Sequence, residues 1–511
     1  MGMGMTASVN RVAAPGAWLA ALCLLVHLLA NPHYGVFRDE LYFIVCGLHP
    51  ALGYVDQPPL APLIAAAAFK LFGLALTPLR LVPALAMSAT VALTGEFTRL
   101  LGGGRFAQAL AALCALVAPI LLVDGLLMFT DFLQPLSWLA CAYLLTRIAR
   151  GGDPRLWLAL GMVIGVSLWS KYLIAFYGIG LAVGLLATPM RRHLAGPWPW
   201  AGVALALAII APNVAWQSTH GFPFLEVGAA GVTGKNIALS PLGFFAQQTL
   251  FLGPLSALVW IAGLWRQATA RDAPEGRVLA VAYFTTAALF IAGHGKAYYL
   301  AGAYPALLAS GGVWWERALK ARAARLVGLA IVALSGLIIT PLVLPVLPPD
   351  DLIAYSRRLG LSPSATATEQ LAPAQLPQLF ADMFGWRNMA SEVARAYRAL
   401  PEDERRRAVF FGSNYGEAAA IDLYGPALGG PPAISGHNQY FLWGPRDFDG
   451  SVVIALGPGP TAFAKNFEGI EAVGRIDDLY AMPYESGLNV YVLRRPKQPL
   501  AALWPRLKLF E

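Results

Sequence analysis

Charge is what this sequence lacks most. Only 13% of its 511 residues are Asp, Glu, Lys or Arg, against roughly 25% in a soluble domain. A chain so poor in charge does not read as a soluble globular protein. Histidine is also sparse, with seven residues. The four cysteines (Cys23, Cys46, Cys114 and Cys141) have no metal-ligand spacing. Three of them fall in apolar runs and read as small apolar residues, which argues against a disulfide framework. Internal repeats, nucleotide-binding G-x-G-x-x-G loops and nucleic-acid-binding motifs are absent. The net charge of +8 sits in short loops between apolar runs, where membrane topology accounts for it. Nucleic acid is therefore not an expected partner.

What fills the chain instead is apolar. Hydrophobic residues make up 57%, and long apolar runs recur from Trp18 to Val346. Spans are expected near 16–33, 79–99, 106–123, 132–148, 156–169, 173–188, 198–216, 241–264, 278–293, 297–313 and 326–347. From about Pro348 the composition changes and no spanning run remains. The pattern predicts a mostly α fold: a polytopic membrane domain of about eleven transmembrane helices over 1–348. A linker follows at 349–380, then a small α/β extracytoplasmic domain at 381–511. In that tail Ala408–Phe411, Val452–Leu456 and Val490–Leu493 suit buried strands, and Tyr415–Tyr424 and Thr461–Asn466 suit helices.

One further apolar run, Pro58–Leu74, decides the topology. If it lies along the membrane, Arg99/Arg105, Arg147/Arg150/Arg155, Arg191/Arg192, Arg266/Arg271/Arg277 and Arg317/Lys320/Arg322/Arg325 all share the side of Arg11. The positive-inside rule then holds at every loop. The N-terminus is expected to be cytoplasmic, the tail extracytoplasmic, and the protein multi-pass in the inner membrane.

On that reading the ionisable residues at the ends of spans gather on the outer side. Such groups at a membrane edge are costly and mark working sites by default. Asp39 and Glu40 follow the first span. Either one serves as a general base beside an apolar wall, or the pair marks a helix start, where carboxylates favour the positive dipole end. Neighbours on a helix point about 100° apart, so both cannot serve one atom. Asp56, in Asp56-Gln-Pro-Pro, either caps a helix or takes part in chemistry. Asp124 and Asp131 bracket an apolar turn, where an acid needs a partner. Lys171 either meets a lipid phosphate or snorkels to the interface. His294-Gly-Lys-Ala-Tyr-Tyr299 suits an anion site, with Lys296 and Tyr298 at a span's outer end; an aromatic belt with one solvated lysine is the alternative. The segment Gln217–Ser240, with His220, Glu226 and Lys235, has the length and glycine content of a flap. Asp39, Asp56, Asp131, Glu226, His220 and His294 could in principle gather a hard divalent metal, but no ligand spacing supports a cofactor.

Five motifs occur in a fixed order: Arg38-Asp-Glu-Leu-Tyr-Phe, Asp56-Gln-Pro-Pro-Leu, Thr130-Asp131 opening a span, Leu168-Trp-Ser-Lys171, and Gly295-Lys-Ala-Tyr-Tyr-Leu-Ala-Gly-Ala-Tyr-Pro305. With them the chain resembles glycosyltransferase family 39 over about residues 18–350. This is the family of protein O-mannosyltransferases and aminoarabinose-type lipid A transferases of the GT-C fold. The resemblance implies a membrane enzyme that takes a sugar from a polyprenyl-phosphate donor and passes it to an envelope lipid, glycan or protein outside the cytoplasm. It implies Asp39 as catalytic base, Asp131 as a second catalytic carboxylate, and Lys171 and Lys296 on the donor phosphate. Arg38, Glu40, Asp56, His294 and Tyr298 then fall to substrate binding. Gln57 stands where aminoarabinose transferases tend to carry a charged residue. The β-trefoil domain usual in the protein-mannosyltransferase subgroup is not seen.

A transporter is the main non-enzyme alternative, but no paired repeat or matched broken helices support it. Another lipid-linked group transferase, of phosphoethanolamine or O-antigen type, is the other enzyme reading. The former needs a metal-binding hydrolase-like domain, and the tail is poor in histidine.

Overall fold

The computed structural model describes residues 14–237, 239–270, 273–364, 369–370 and 372–511. Arg11, Arg271 and part of the linker segment lie outside the described residues.

A helix stands at each of the eleven expected spans, but few are straight and full-length. Among the described residues four are long and apolar enough to cross a membrane alone: Leu81–Leu100, Pro197–Thr219, Pro274–Ala292 and Arg322–Leu342. Three more candidates are pairs bent by 62°, 104° and 115° at Ala118-Pro119, Thr188-Pro189 and Gly253-Pro254. By length and composition that makes four, or up to seven with the bent pairs, among the described residues; the shorter apolar helices Pro15–Ala30 and Leu156–Leu168 stand at two more of the expected spans. Proline explains the breaks: it removes a helical donor and pushes the preceding residue out of the helical region. Ala118 and Thr188 are extended, and Gly253 has φ 83°. The expected single span 241–264 is therefore two helices, Pro241–Leu252 and Pro254–Thr269.

Close helix packing relies on glycine. A Cβ on Gly263 would lie 1.9 Å from the Leu307 carbonyl, and one on Gly311 1.9 Å from that of Val259. The two glycines let Pro254–Thr269 and Tyr304–Ala318 approach backbone to backbone, as small residues do in membranes.

Two short helices stand at the end of the membrane domain that meets the tail. Arg38–Leu48 packs on Leu60–Phe72, the run expected to lie along the membrane. The latter has 13 residues, about 20 Å at 1.5 Å per residue, short of a hydrocarbon core of ~30 Å.

The tail forms a five-stranded sheet in the order β2-β1-β3-β5-β4. The strands are β1 Ala408–Gly412, β2 Ala433–Ser435, β3 Val452–Gly457, β4 Phe467–Ile476 and β5 Leu488–Pro496. β1 pairs in parallel with β2 and β3, while β5 is antiparallel to β3 and β4. Alternation along the strands gives two apolar faces. Val409, Val453, Ala455, Tyr491 and Leu493 pack with Leu500 and Trp504. Phe410, Ile454, Leu456, Val490 and Val492 join a second cluster that also contains Leu41, Tyr42, Ile44 and Cys46. The tail and the helix Arg38–Leu48 thus share one core. The helix expected at 461–466 is only a short 3-10 turn, Pro460–Ala462.

Candidate active site

The site is built around the first turn of the helix Arg38–Leu48. Phe37 caps that turn: its N–H donates to the Glu40 carboxylate at 2.9 Å. Holding Glu40 there leaves Asp39 on another face. The Asp39 carboxylate is 26% exposed. It accepts a hydrogen bond from the Tyr415 hydroxyl at 2.8 Å and one from Arg38 Nε at 3.4 Å. Among the described residues both fall on Oδ1, which leaves Oδ2 for another partner.

Glu40 is not available to a substrate. Its side chain is wholly buried and forms a two-pronged ion pair with Arg80, at 3.0 and 2.8 Å. It also accepts from the Met128 N–H at 3.1 Å. The structure thus gives Glu40 a supporting place rather than a binding one. Neither Arg80 nor Met128 could be read as its partner from local sequence, because they lie forty and eighty-eight positions away.

Arg38 joins the tail to this turn. Its Nη1 donates to Tyr484 Oη at 2.7 Å, and Tyr484 donates to Asp382 at 2.9 Å. Its backbone N–H donates to the Asp382 carbonyl at 3.0 Å. Burial alone would lower the guanidinium's pKa, but Asp382, Tyr415, Tyr484 and Asp39 raise it well above the usual value. Burial raises the Asp382 carboxyl, and Arg38 opposes the shift. Asp56 accepts from Tyr42 Oη at 2.8 Å. Tyr42 stacks on Tyr415 at 4.5 Å between centroids, and its oxygen accepts from the Gln439 N–H. Four tail residues, Asp382, Tyr415, Gln439 and Tyr484, therefore reach the Arg38–Asp39–Asp56 set. No local motif pointed to Tyr415, Gln439 or Tyr484.

A second group lies at the ends of the membrane helices. Lys171 and Asp131 pair at 2.6 Å, and Lys296 and Glu369 at 2.5 Å. The Lys171 ammonium stands 4.9 Å from the Tyr299 ring centre and 5.8 Å from that of Tyr298. Lys296 stands 5.9 Å from the Tyr298 ring centre. Tyr298 thus has a lysine near it from each pair. Asp124 is buried.

Other expected participants stand apart. His294 is exposed with a left-handed backbone (φ 51°), and its carbonyl accepts from Asn236 at 3.4 Å. His220 stacks on Trp216. The expected flap is largely helical, over Pro223–Ala230 and Gly231–Lys235, and Glu226 pairs with Lys508 at 2.5 Å. Gln57 is buried against Cys46. Among the described residues no three His, Cys, Asp or Glu side chains group as metal ligands.

Residues 56–216 match the family model described as dolichyl-phosphate-mannose-protein mannosyltransferase. Two solved structures resemble the whole chain. One is ArnT from Cupriavidus metallidurans in the apo state: TM-score 0.61, 17% identity, covering 93% of this chain and 97% of that one. The fold is that of the GT-C glycosyltransferases. The second is the same ArnT bound to undecaprenyl phosphate: TM-score 0.60, 17% identity, covering 94% of this chain and 98% of that one. No curated protein matches by sequence. The segment matched by the family model contains Asp56, Asp124, Asp131 and Lys171.

Proposed function

We propose that this GT-C chain transfers a sugar from a polyprenyl-phosphate donor to a hydroxyl or amine of an envelope lipid, glycan or protein. The transfer takes place on the extracytoplasmic face of the inner membrane and inverts the anomeric centre. One observation carries the reading: a partly exposed carboxylate, Asp39, keeps an open edge, and two lysines at the ends of membrane helices, Lys171 and Lys296, flank one tyrosine ring, Tyr298. A glycosyl phosphate needs a base for the incoming group and cations for the departing one, and this set supplies both.

In the proposed step the acceptor oxygen or nitrogen attacks the anomeric carbon and passes its proton to Asp39 Oδ2. The bond from that carbon to the phosphate oxygen breaks, and the polyprenyl phosphate leaves with the electron pair. Tyr415 and Arg38 hold Oδ1 and so fix the carboxylate's direction. Lys171 and Lys296 each give one N–H to a carboxylate. An ammonium has three donors, so two remain on each for the phosphate. Asp131 and Glu369 then orient these lysines. The ionic groups sit at helix ends and between helices, not at mid-helix where a transport path would place them. The basic loops support a cytoplasmic N-terminus and an extracytoplasmic tail.

Mass spectrometry of envelope lipids and glycans from a deletion strain tests the reading. The expected result is accumulation of a polyprenyl-phosphate sugar together with loss of one glycosylated product. Unchanged profiles of both would contradict it.

A further inference from the structure

We infer that Glu485 is a positioning residue for Asp39: it keeps its proton in the folded tail and donates that O–H to the Glu417 carboxylate, clamping together the two tail segments that hold the Arg38–Asp39 turn. The effect on turnover rests on the transferase reading; the shared proton does not.

Glu417 and Glu485 are both buried, and among the described residues no lysine or arginine pairs with either. One amide reaches both. Asn414 Nδ2 donates to Glu485 Oε1 at 2.7 Å and to Glu417 Oε1 at 3.4 Å. Its orientation is fixed, because Asn414 Oδ1 accepts from the Glu417 N–H at 3.0 Å. The Ser413 N–H donates to Glu417 Oε2 at 2.7 Å. Glu485 Oε2 is the carboxyl oxygen left without a donor. An ionised Glu485 would leave that charged oxygen bare beside a second carboxylate, and two adjoining buried acids do not both ionise. A proton on Oε2 removes the cost and turns the oxygen into a donor, with Glu417 as the acceptor at hand. The charge balance agrees. Burial and the neighbouring Glu417 push Glu485 well above the usual glutamate value, while Asn414 and Arg38 draw it down and Asp382 adds to the rise. Glu417, pushed up to about 7 by burial, is drawn down by hydrogen bonds from Ser413 and Glu485. Glu417 therefore ionises first, and Glu485 holds the proton.

The pair grips the site from two sides. Glu417 lies in the first turn of the helix Tyr415–Leu428, whose Tyr415 Oη donates to Asp39 at 2.8 Å. That turn rests directly on Arg38: a Cβ on Gly416 would lie 2.6 Å from Arg38 Cγ. Glu485 follows Tyr484, whose hydroxyl accepts from Arg38 Nη1 at 2.7 Å. Each tyrosine that touches the Arg38–Asp39 turn thus stands next to one of the two acids. With the O–H in place the two segments are held together. Without it the carboxylates repel, the segments part, and Asp39 Oδ1 loses the alignment that Tyr415 gives it.

Glu485→Gln and Glu485→Met, in the purified full-length protein in detergent, test the inference. Glutamine replaces the O–H with an N–H and cannot ionise; methionine fills the space without a donor. Infrared difference spectra taken above the Glu417 value of about 7 should show a protonated-carboxyl band in the wild type that Glu485→Gln removes. Glu485→Gln should turn over a polyprenyl-phosphate sugar about tenfold faster than Glu485→Met, the worth of one hydrogen bond to a charged group. Donor affinity should be the same in both, since the lysines proposed for the phosphate lie on other elements. Melting temperature reports folding. Should Glu485→Met not fold, the infrared comparison still decides, because it needs only the wild type and Glu485→Gln. A wild-type spectrum without that band, or a band that persists in Glu485→Gln, would overturn the inference. So would equal turnover by folded Glu485→Gln and Glu485→Met. A wild type that turns over no such donor would instead count against the transferase reading, and the infrared band would still decide the clamp.

Discussion

Asp39 and Glu40 are adjacent and differ by one methylene, yet their carboxylates have unlike surroundings. Glu40 is locked on Arg80 with no exposure on either side chain, while Asp39 keeps a free edge beside Tyr415. Breaking a buried pair by removing one partner costs about 3–5 kcal/mol, because the other charge stays buried alone. Arg80→Met should therefore lower the melting temperature sharply in detergent. Adding Glu40→Gln to it should recover part of the loss. A single Arg80→Met protein that melts with the wild type would remove this support role. At this scale the sequence was half legible. It offered Asp39 with a choice between base and helix start, and it ruled out both acids serving one atom. It could not divide the roles, because the deciding partners, Arg80 and Tyr415, are distant in the chain.

At the scale of elements, the helix Tyr415–Leu428 connects the tail to the site. Asn414 caps it, accepting from the Glu417 N–H at 3.0 Å, and Asn414 Nδ2 donates to Glu485 at 2.7 Å. This holds two buried glutamates near each other behind Arg38. Burial pushes the Glu417 carboxyl up to about 7, and burial together with Glu417 pushes Glu485 well up. Between about 4.5, the ordinary glutamate value, and about 7 the folded protein holds a proton that the unfolded chain has released. Raising the pH through that window therefore costs stability. The tail's melting temperature should fall as pH rises from about 4.5 to 7, and Glu417→Gln should flatten the slope. A slope identical in wild type and variant would contradict this. Elements were legible where their pattern was strong: the apolar strands β1, β3 and β5 stand where alternation and hydrophobicity put them. β4, Phe-Glu-Gly-Ile-Glu-Ala-Val-Gly-Arg-Ile, carries glycine and charge because most of its side chains are exposed or half-buried, and it gave no such signal. The break at Gly253-Pro254 was visible as a dipeptide, but the apolar run on both sides masked it.

For the whole molecule, the order of the motifs from Arg38 to Pro305 gave the resemblance, and the GT-C fold agrees with it. What local pattern could not supply is the seating of the tail. The Asp382 backbone, Tyr415, Gln439 and Tyr484 all bond to the helix Arg38–Leu48. The tail's sheet also shares a core with that helix. Such contacts span more than 340 positions, and composition has no means of signalling them. The tail is thus placed to set the direction of the carboxylate on which the proposed chemistry depends. That chemistry is tested most directly by turnover of a polyprenyl-phosphate sugar by purified Asp39→Asn protein, measured beside donor binding. Asparagine keeps the shape but cannot take the acceptor's proton. Turnover should fall by roughly 10²–10⁴-fold with donor binding nearly unchanged. A folded Asp39→Asn protein that turns over its donor at the wild-type rate would contradict the account.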